Sequence, residues 1–168
     1  MAGGAPDGSP CSFMSSGWHL IHDEGGALEL SISRVGIMAA MSERWIVDAM
    51  NVIGSRPDGW WKDRDEAMRS FARSIDDHAA STGRDITVVF DTDPGPLPEP
   101  RNIEIVIASH RGPNAADREI ERMVGEAEHR TSLRIVTSDR ALGESVAAAG
   151  ADVVSAGKFR RELDRWAE

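Results

Sequence analysis

The stretch LRIVTSDRALGESVAAAGADVVS (133–155) decides the fold. It opens with a continuously apolar run that ends in polar residues at Thr137, Ser138 and Asp139. A short helical segment follows from Ala141 to Ala149, and Gly150 stands where a helix-ending glycine with positive φ is favoured. A second short apolar run, ADVVS (151–155), comes straight after. Strands of this kind, apolar on consecutive positions rather than alternating, are buried on both faces. Two of them joined through a helix belong to a parallel sheet.

The same grammar extends upstream. WIVDA (45–49), ITVVFD (86–91) and IEIVIAS (103–109) are three more short apolar runs. Between them, residues 64–80 carry Met68, Phe71, Ala72, Ile75 and Ala79 at helical spacing. Residues 115–129 place Ala116, Ile120, Met123, Val124 and Ala127 on one stripe. Downstream, a last helix aligns Phe159, Leu163 and Trp166. The link DTDPGPLPEPRN (91–102) is the exception. Its four prolines forbid a helix, so the second and third strands are joined by loop alone. Residues 45–166 therefore read as one α/β domain with a mainly parallel five-stranded sheet.

The chain of 168 residues is long enough for one such domain and too short for two ordinary ones. Division into a leader, 1–40, and a domain, 41–168, follows from composition. MAGGAPDGSPCSFMSS (1–16) is small, polar and rich in Gly, Ser and Pro, and reads as disordered. LELSISRVGI (28–37) alternates apolar and polar residues, which suits an edge strand or an unstructured extension equally. Met38 and Met41 offer later starts. The single cysteine, Cys11, excludes an internal disulfide and a cysteine-rich zinc site. With 28 acidic against 19 basic residues, the net charge of -9 argues against a broad non-specific nucleic-acid binder. It leaves room for an enzyme that concentrates carboxylates around a cation. No long apolar run and no basic start followed by an apolar core is present, so a cytoplasmic protein without a membrane span is expected.

The acids fall in a pattern. Asp48 lies at the end of the first run, Asp91 ends the second and Asp139 follows the fourth. In open parallel sheets, ligands bind beyond the carboxyl ends of the strands. Each acid alone is explained as well by helix capping, Asp139 above all. The agreement of three is the signal. At about 100° per residue, Asp117 falls on the rim of its helix stripe and Glu121 further towards solvent. Hard oxygen donors without a Cys or His cluster suit Mg2+ or Mn2+. His19 and His22 are close in sequence but lie in the leader, and read as chance. Around these acids, the Asn51 amide and Ser138 offer polar contacts, and Arg111, Arg118 and Arg140 offer positive charge to phosphates. Trp60 and Trp61, beside Lys62 and Arg64, read as a hydrophobic plug over the sheet end in preference to a base-stacking platform.

Taken together, WIVDAMNVIG (45–54), VVFD (88–91), NAADREIERMV (114–124), IVTSDRAL (135–142) and GADVVSAGKFRREL (150–163) resemble the YacP-like branch of the NYN domains, which are PIN-like nucleases. The resemblance covers about residues 45–165. It implies a three-layer α/β/α sandwich with strand order 3-2-1-4-5 and a metal-dependent endoribonuclease. Asp48, Asp91, Asp117 and Asp139 match the family's acidic metal positions, and Asn51 matches its asparagine after the first strand. RNA, free or on the ribosome, is the expected partner. Where the family carries Gly and Tyr between the first Asp and the Asn, this chain has Ala49 and Met50, which puts a substrate contact or a packing hydroxyl in question. The alternative is an RNA- or ribosome-associated binding protein without catalysis. A haloacid-dehalogenase-like phosphatase, suggested by DTD (91–93), is rejected because Gly95 stands where that pattern needs Thr or Val. A response-regulator receiver is rejected because its paired acids and later lysine are missing.

Overall fold

The five apolar runs do assemble into one parallel sheet. In this computed structural model, which describes residues 43–97 and 99–167, the strands are β1 (Arg44–Asp48), β2 (Asp85–Phe90), β3 (Ile103–Ile107), β4 (Leu133–Val136) and β5 (Asp152–Val154). They lie in the order β3-β2-β1-β4-β5, and every pairing is parallel. The helices are α1 (Ala49–Ile53), α2 (Arg64–Thr82), α3 (Ala115–Glu126), α4 (Arg140–Ala148) and α5 (Ala156–Ala167). Expectations for the leader, the 28–37 strand, Cys11, the His19–His22 pair and the later starts at Met38 or Met41 lie outside the described residues.

Alternation along the strands builds two cores. Trp45 and Val47 of β1 face one side with Val88 and Phe90, and there they meet Phe71 and Ile75 of α2 and Phe159 of α5. Ile46 and Val89 face the other side and meet Ile120 of α3 and Leu142 and Val146 of α4. A strand residue every second position points to the same face, so one sheet supports both layers. The result is the α/β/α sandwich.

Local chemistry fixes the helix ends. Asp63 accepts a hydrogen bond from the Glu66 N–H at 3.0 Å and starts α2. Gly83, at φ 67°, ends it by donating its N–H to the Ala79 carbonyl at 2.8 Å. Gly150, at φ 101°, turns the chain from α4 into β5 as its position implied.

Three features depart from the sequence reading. The outer strands β3 and β5 are only half covered, with Ile107 and Val153 each more than 40% exposed. A continuous apolar run does not reveal that its strand is an edge. Regular strand geometry also ends earlier than the runs do, at Val136 in β4, leaving Thr137 to Asp139 to turn into α4. Trp166 lies at the margin of the first core, packed edge-on against His78 at 5.8 Å between ring centres, because α5 is in its last turn there. Among its described residues the β2–β3 joint is helix-free, as the prolines require. Asp76 Oδ1 of α2 accepts the N–H groups of Arg101 and Asn102 at 2.9 and 2.7 Å, and Arg69 donates to the Pro94 carbonyl at 3.0 Å. No helix among the described residues is long and apolar enough to cross a membrane.

Candidate functional site

Parallel pairing puts every carboxyl end of the sheet on the same edge. Asp48 is the last residue of β1 and sits level with Val89 of β2. Val47 sits level with Val136 of β4. Asp91 and Asp139 are therefore each about two residues beyond the level of Asp48, one on either side of it. Neighbouring strands are about 4.8 Å apart, so these carboxylates share one small region. Asp117, in the first turn of α3, joins them from the layer above.

Asp48 is 2% exposed, which makes it the buried member of the group. Asn51 holds it, donating its backbone N–H to Oδ1 at 3.1 Å and its side-chain amide to Oδ2 at 2.6 Å. The Asn51 side-chain oxygen, Oδ1, accepts the Ser138 N–H at 3.2 Å. The Ser138 hydroxyl in turn accepts the Ala156 N–H at 3.1 Å. One chain of hydrogen bonds thus links the ends of β1 and β4 with the start of α5. Asp139 caps α4 by accepting the Leu142 N–H at 2.9 Å, while the Thr137 hydroxyl accepts the Asp139 N–H at 3.0 Å.

The electrostatics record the crowding. Burial pushes the Asp48 carboxyl up, the Asn51 hydrogen bonds pull against this, and the charges of Asp91 and Asp139 push it further up. Asp117 is also pushed up, first by desolvation and then by Asp48, Asp139 and Glu121, with Arg118 opposing. Asp48 thus feels Asp91 and Asp139, and Asp117 feels Asp48 and Asp139, so like charges crowd this edge.

Among the described residues, however, no three His, Cys, Asp or Glu side chains are gathered tightly enough to enclose an ion. The contacts supply a reason. Asp91 is turned to Arg64, whose Nη2 donates to both carboxylate oxygens at 2.9 and 2.6 Å. Asp48 is engaged by Asn51, and Asp139 by its cap. The donor set still fits a hard divalent cation: it is all oxygen and in charge excess.

The remaining sequence candidates surround this edge. Arg118 is close enough to act on Asp117. Arg140 is exposed and paired with Glu144 at 2.8 Å on its own helix. Arg111 is exposed in the loop between β3 and α3. Trp60 and Trp61 split: Trp60 packs on the first core as a plug, whereas Trp61 is 57% exposed. Two participants were missed, Thr137 and the partnership of Arg64 with Asp91. Thr137 sits in the quoted TSD motif and was readable as a turn hydroxyl. The Arg64 contact spans 27 residues and left no local signal.

This edge, on this strand order, defines the class. The YacP-like NYN domain family matches residues 45–168, and the chain belongs to that family. Among solved structures, it is similar to the crystal structure of Rae1 (YacP) from Bacillus subtilis, with a TM-score of 0.60 and 23% identity over 73% of this chain and 74% of that one. A single-residue variant of the same Bacillus subtilis protein gives the same TM-score and identity, and there 76% of that chain is covered. No functionally curated protein matches the chain.

Proposed function

We propose that this protein is a divalent-metal-dependent endoribonuclease whose site is the carboxyl edge of the sheet. The observation that carries the reading is the mutual charge of Asp48, Asp91, Asp117 and Asp139 at that edge. Membership of the YacP-like NYN family supports it. Grouped carboxylates in charge excess are a poor place for a phosphodiester unless a cation stands between them and the phosphate.

Asp48, Asp91, Asp117 and Asp139 would hold Mg2+ or Mn2+. Such an ion supplies Lewis acidity towards the scissile phosphate and activates the attacking water. The chain's own residues do the rest. Asn51 fixes the Asp48 carboxylate from two sides, so its orientation is set before substrate arrives. Arg111, Arg118 and Arg140 stand around the edge as counter-charges for the phosphates. The Ser138 hydroxyl keeps its proton available for a substrate oxygen while accepting from Ala156. Hydrolysis adds water across one P–O bond and yields a phosphomonoester and a hydroxyl end.

The test uses purified full chain, labelled single-stranded and structured RNAs, and Mn2+ or EDTA, with Asp48→Asn and Asp139→Asn beside the wild type. Cleavage is expected with Mn2+ and is lost in EDTA and in both variants. Metal binding is followed by calorimetry on the same samples, which covers a substrate that needs the ribosome. Cleavage that persists in EDTA and in both variants, or no binding of either ion at millimolar concentration, ends the catalytic reading and leaves a binding protein in its place.

A further inference from the structure

Cations elsewhere in the molecule are mostly committed. Arg44, Arg69, Arg73, Arg122 and Arg134 each sit in an ion pair. Helix α5 is different. Its two described acids are already neutralised: Glu162 by Arg84 at 2.6 Å, and Asp164 by Arg56 and by Arg160, the latter at 3.3 Å. Lys158, Arg161 and Arg165 remain. All three are exposed, and none has a carboxylate within 4.0 Å among the described residues.

Their spacing of three and four residues puts them on one stripe. Phe159 and Leu163 point the other way, into the first core. The three cations and Asp164 line a shallow hollow of about 290 Å³. The stripe is about 10 Å long, at about 1.5 Å per residue. It begins two residues after Ala156, whose N–H is bonded to Ser138 beside Asp139. A basic track without a carboxylate partner among the described residues, where Arg165 Nε donates only to the Arg161 carbonyl at 3.3 Å, thus leads away from the acidic edge, on a chain whose net charge is -9.

We infer that the Lys158–Arg161–Arg165 stripe is a phosphate-binding track that holds the RNA strand where it runs beyond the acidic edge. The stripe's chemistry asks for a repeating anion. A lone carboxylate partner would need one cation, not three in register. Its place, starting beside the site, selects the same strand that the proposed activity would cut, and to that extent the inference rests on the nuclease reading. The track resolves a conflict in the net charge. Binding need not come from the whole surface if one stripe supplies several phosphate contacts.

The test is the salt dependence of binding. A fluorescent 20-nucleotide single-stranded RNA is titrated with full chain in EDTA between about 50 and 200 mM KCl, a range over which phosphate contacts lose affinity steeply. The variant is Lys158→Gln/Arg161→Gln/Arg165→Gln, because glutamine keeps helix propensity. Arg73→Gln/Arg101→Gln, away from the stripe, is the charge control. Each lost contact should lower the slope of log K against log salt by about 0.7, so the triple variant should lose about 2 and bind at least tenfold more weakly at low salt. The control should keep the wild-type slope. Cleavage of a trinucleotide in Mn2+, too short to reach the stripe, should be equal in wild type and triple variant. An unchanged slope in the triple variant overturns the inference and points to an acidic protein as the occupant. So does an equal loss per charge in the control, or a wild type that binds no RNA at low salt. Stripe-dependent binding by a chain that binds neither Mn2+ nor Mg2+ at millimolar concentration would sink the nuclease reading and leave the track standing. Cleavage without stripe dependence would do the reverse.

Discussion

Arg64 sits where a cation is wanted. Its guanidinium covers both oxygens of Asp91 in a pair that is partly open to water. Such pairs are worth about 0.5–1 kcal/mol, so the arginine competes with an ion only weakly. Arg64→Gln is expected to tighten Mn2+ binding about two- to fivefold by calorimetry, and a weaker affinity would show that Arg64 helps to build the site. Asp117 gives a second expectation, with its direction fixed by linkage. Its carboxyl is pushed up in the fold, first by desolvation and then by neighbouring acids. The folded state therefore holds that proton more tightly than the unfolded chain. Ionised Asp117 costs stability above its folded pKa, and the cost disappears below the unfolded value of about 3.9. Asp117→Asn should raise the melting temperature in EDTA at pH 7, with the gain shrinking to nothing near pH 4. A lower melting temperature at pH 7 would contradict this. At this scale the sequence was informative about which acids reach the carboxyl edge of the sheet and silent about what holds them. Asp48 and Asn51 are three residues apart, and their hydrogen bonds belong to one turn. Arg64 and Asp91 meet only because α2 starts at the same edge where β2 ends.

Helix ends and helix contacts carry the next level. Asp139 is both an acid of the proposed site and the cap of α4. Asparagine caps as well as aspartate, whereas alanine does not. Asp139→Asn should leave thermal stability within experimental error while Asp139→Ala loses about 1 kcal/mol, and both should lose cleavage. Equal stability of the two would mean that the cap contributes nothing. Between α2 and α5, His78 is buried against Phe159 and Trp166. Burial lowers its pKa, and the Arg84 cation, whose Nη1 lies 3.4 Å from Nε2, lowers it further against the opposing pull of Glu162. The fold favours the neutral ring. Stability from this group is complete above the unfolded value of about 6.5 and is lost as pH falls from there towards the lowered folded pKa. Wild type should thus soften between pH 7 and 5 in urea unfolding more than His78→Leu does; parallel pH profiles would remove His78 from the account. The pattern of apolar residues made these helices legible in advance. It did not reveal that the continuous runs 103–109 and 151–155 are edges, because burial on one face or two depends on which strand lies outermost.

For the whole molecule, the proposed metal site would set a balance between folding and binding. The strand order places the most buried acid, Asp48, in the central strand and the others around it, so repulsion is built into the middle of the sheet edge. A divalent ion that binds only the folded state would stabilise it by about 2.7 kcal/mol at a hundred times its dissociation constant. Added Mn2+ should raise the melting temperature of wild type by several degrees and that of Asp48→Asn by less. An equal rise in both would place the ion elsewhere. The layer architecture was legible because strand and helix alternate almost without interruption. The exception, 91–102, read correctly as a helix-free crossover, but its anchoring by Asp76 and Arg69 is tertiary and was not.

The double duty proposed for the capping acids has a consequence for lineages that lose the proposed chemistry. In a descendant released from cleavage, folding alone would still hold an Asp, Asn or Ser at positions 48 and 139, because each begins a helix. Asp91 and Asp117 accept no such helix-capping bond, so they are free to drift first. An inactive offshoot would keep its two capping acids and look intact, and its silence would be written at positions 91 and 117.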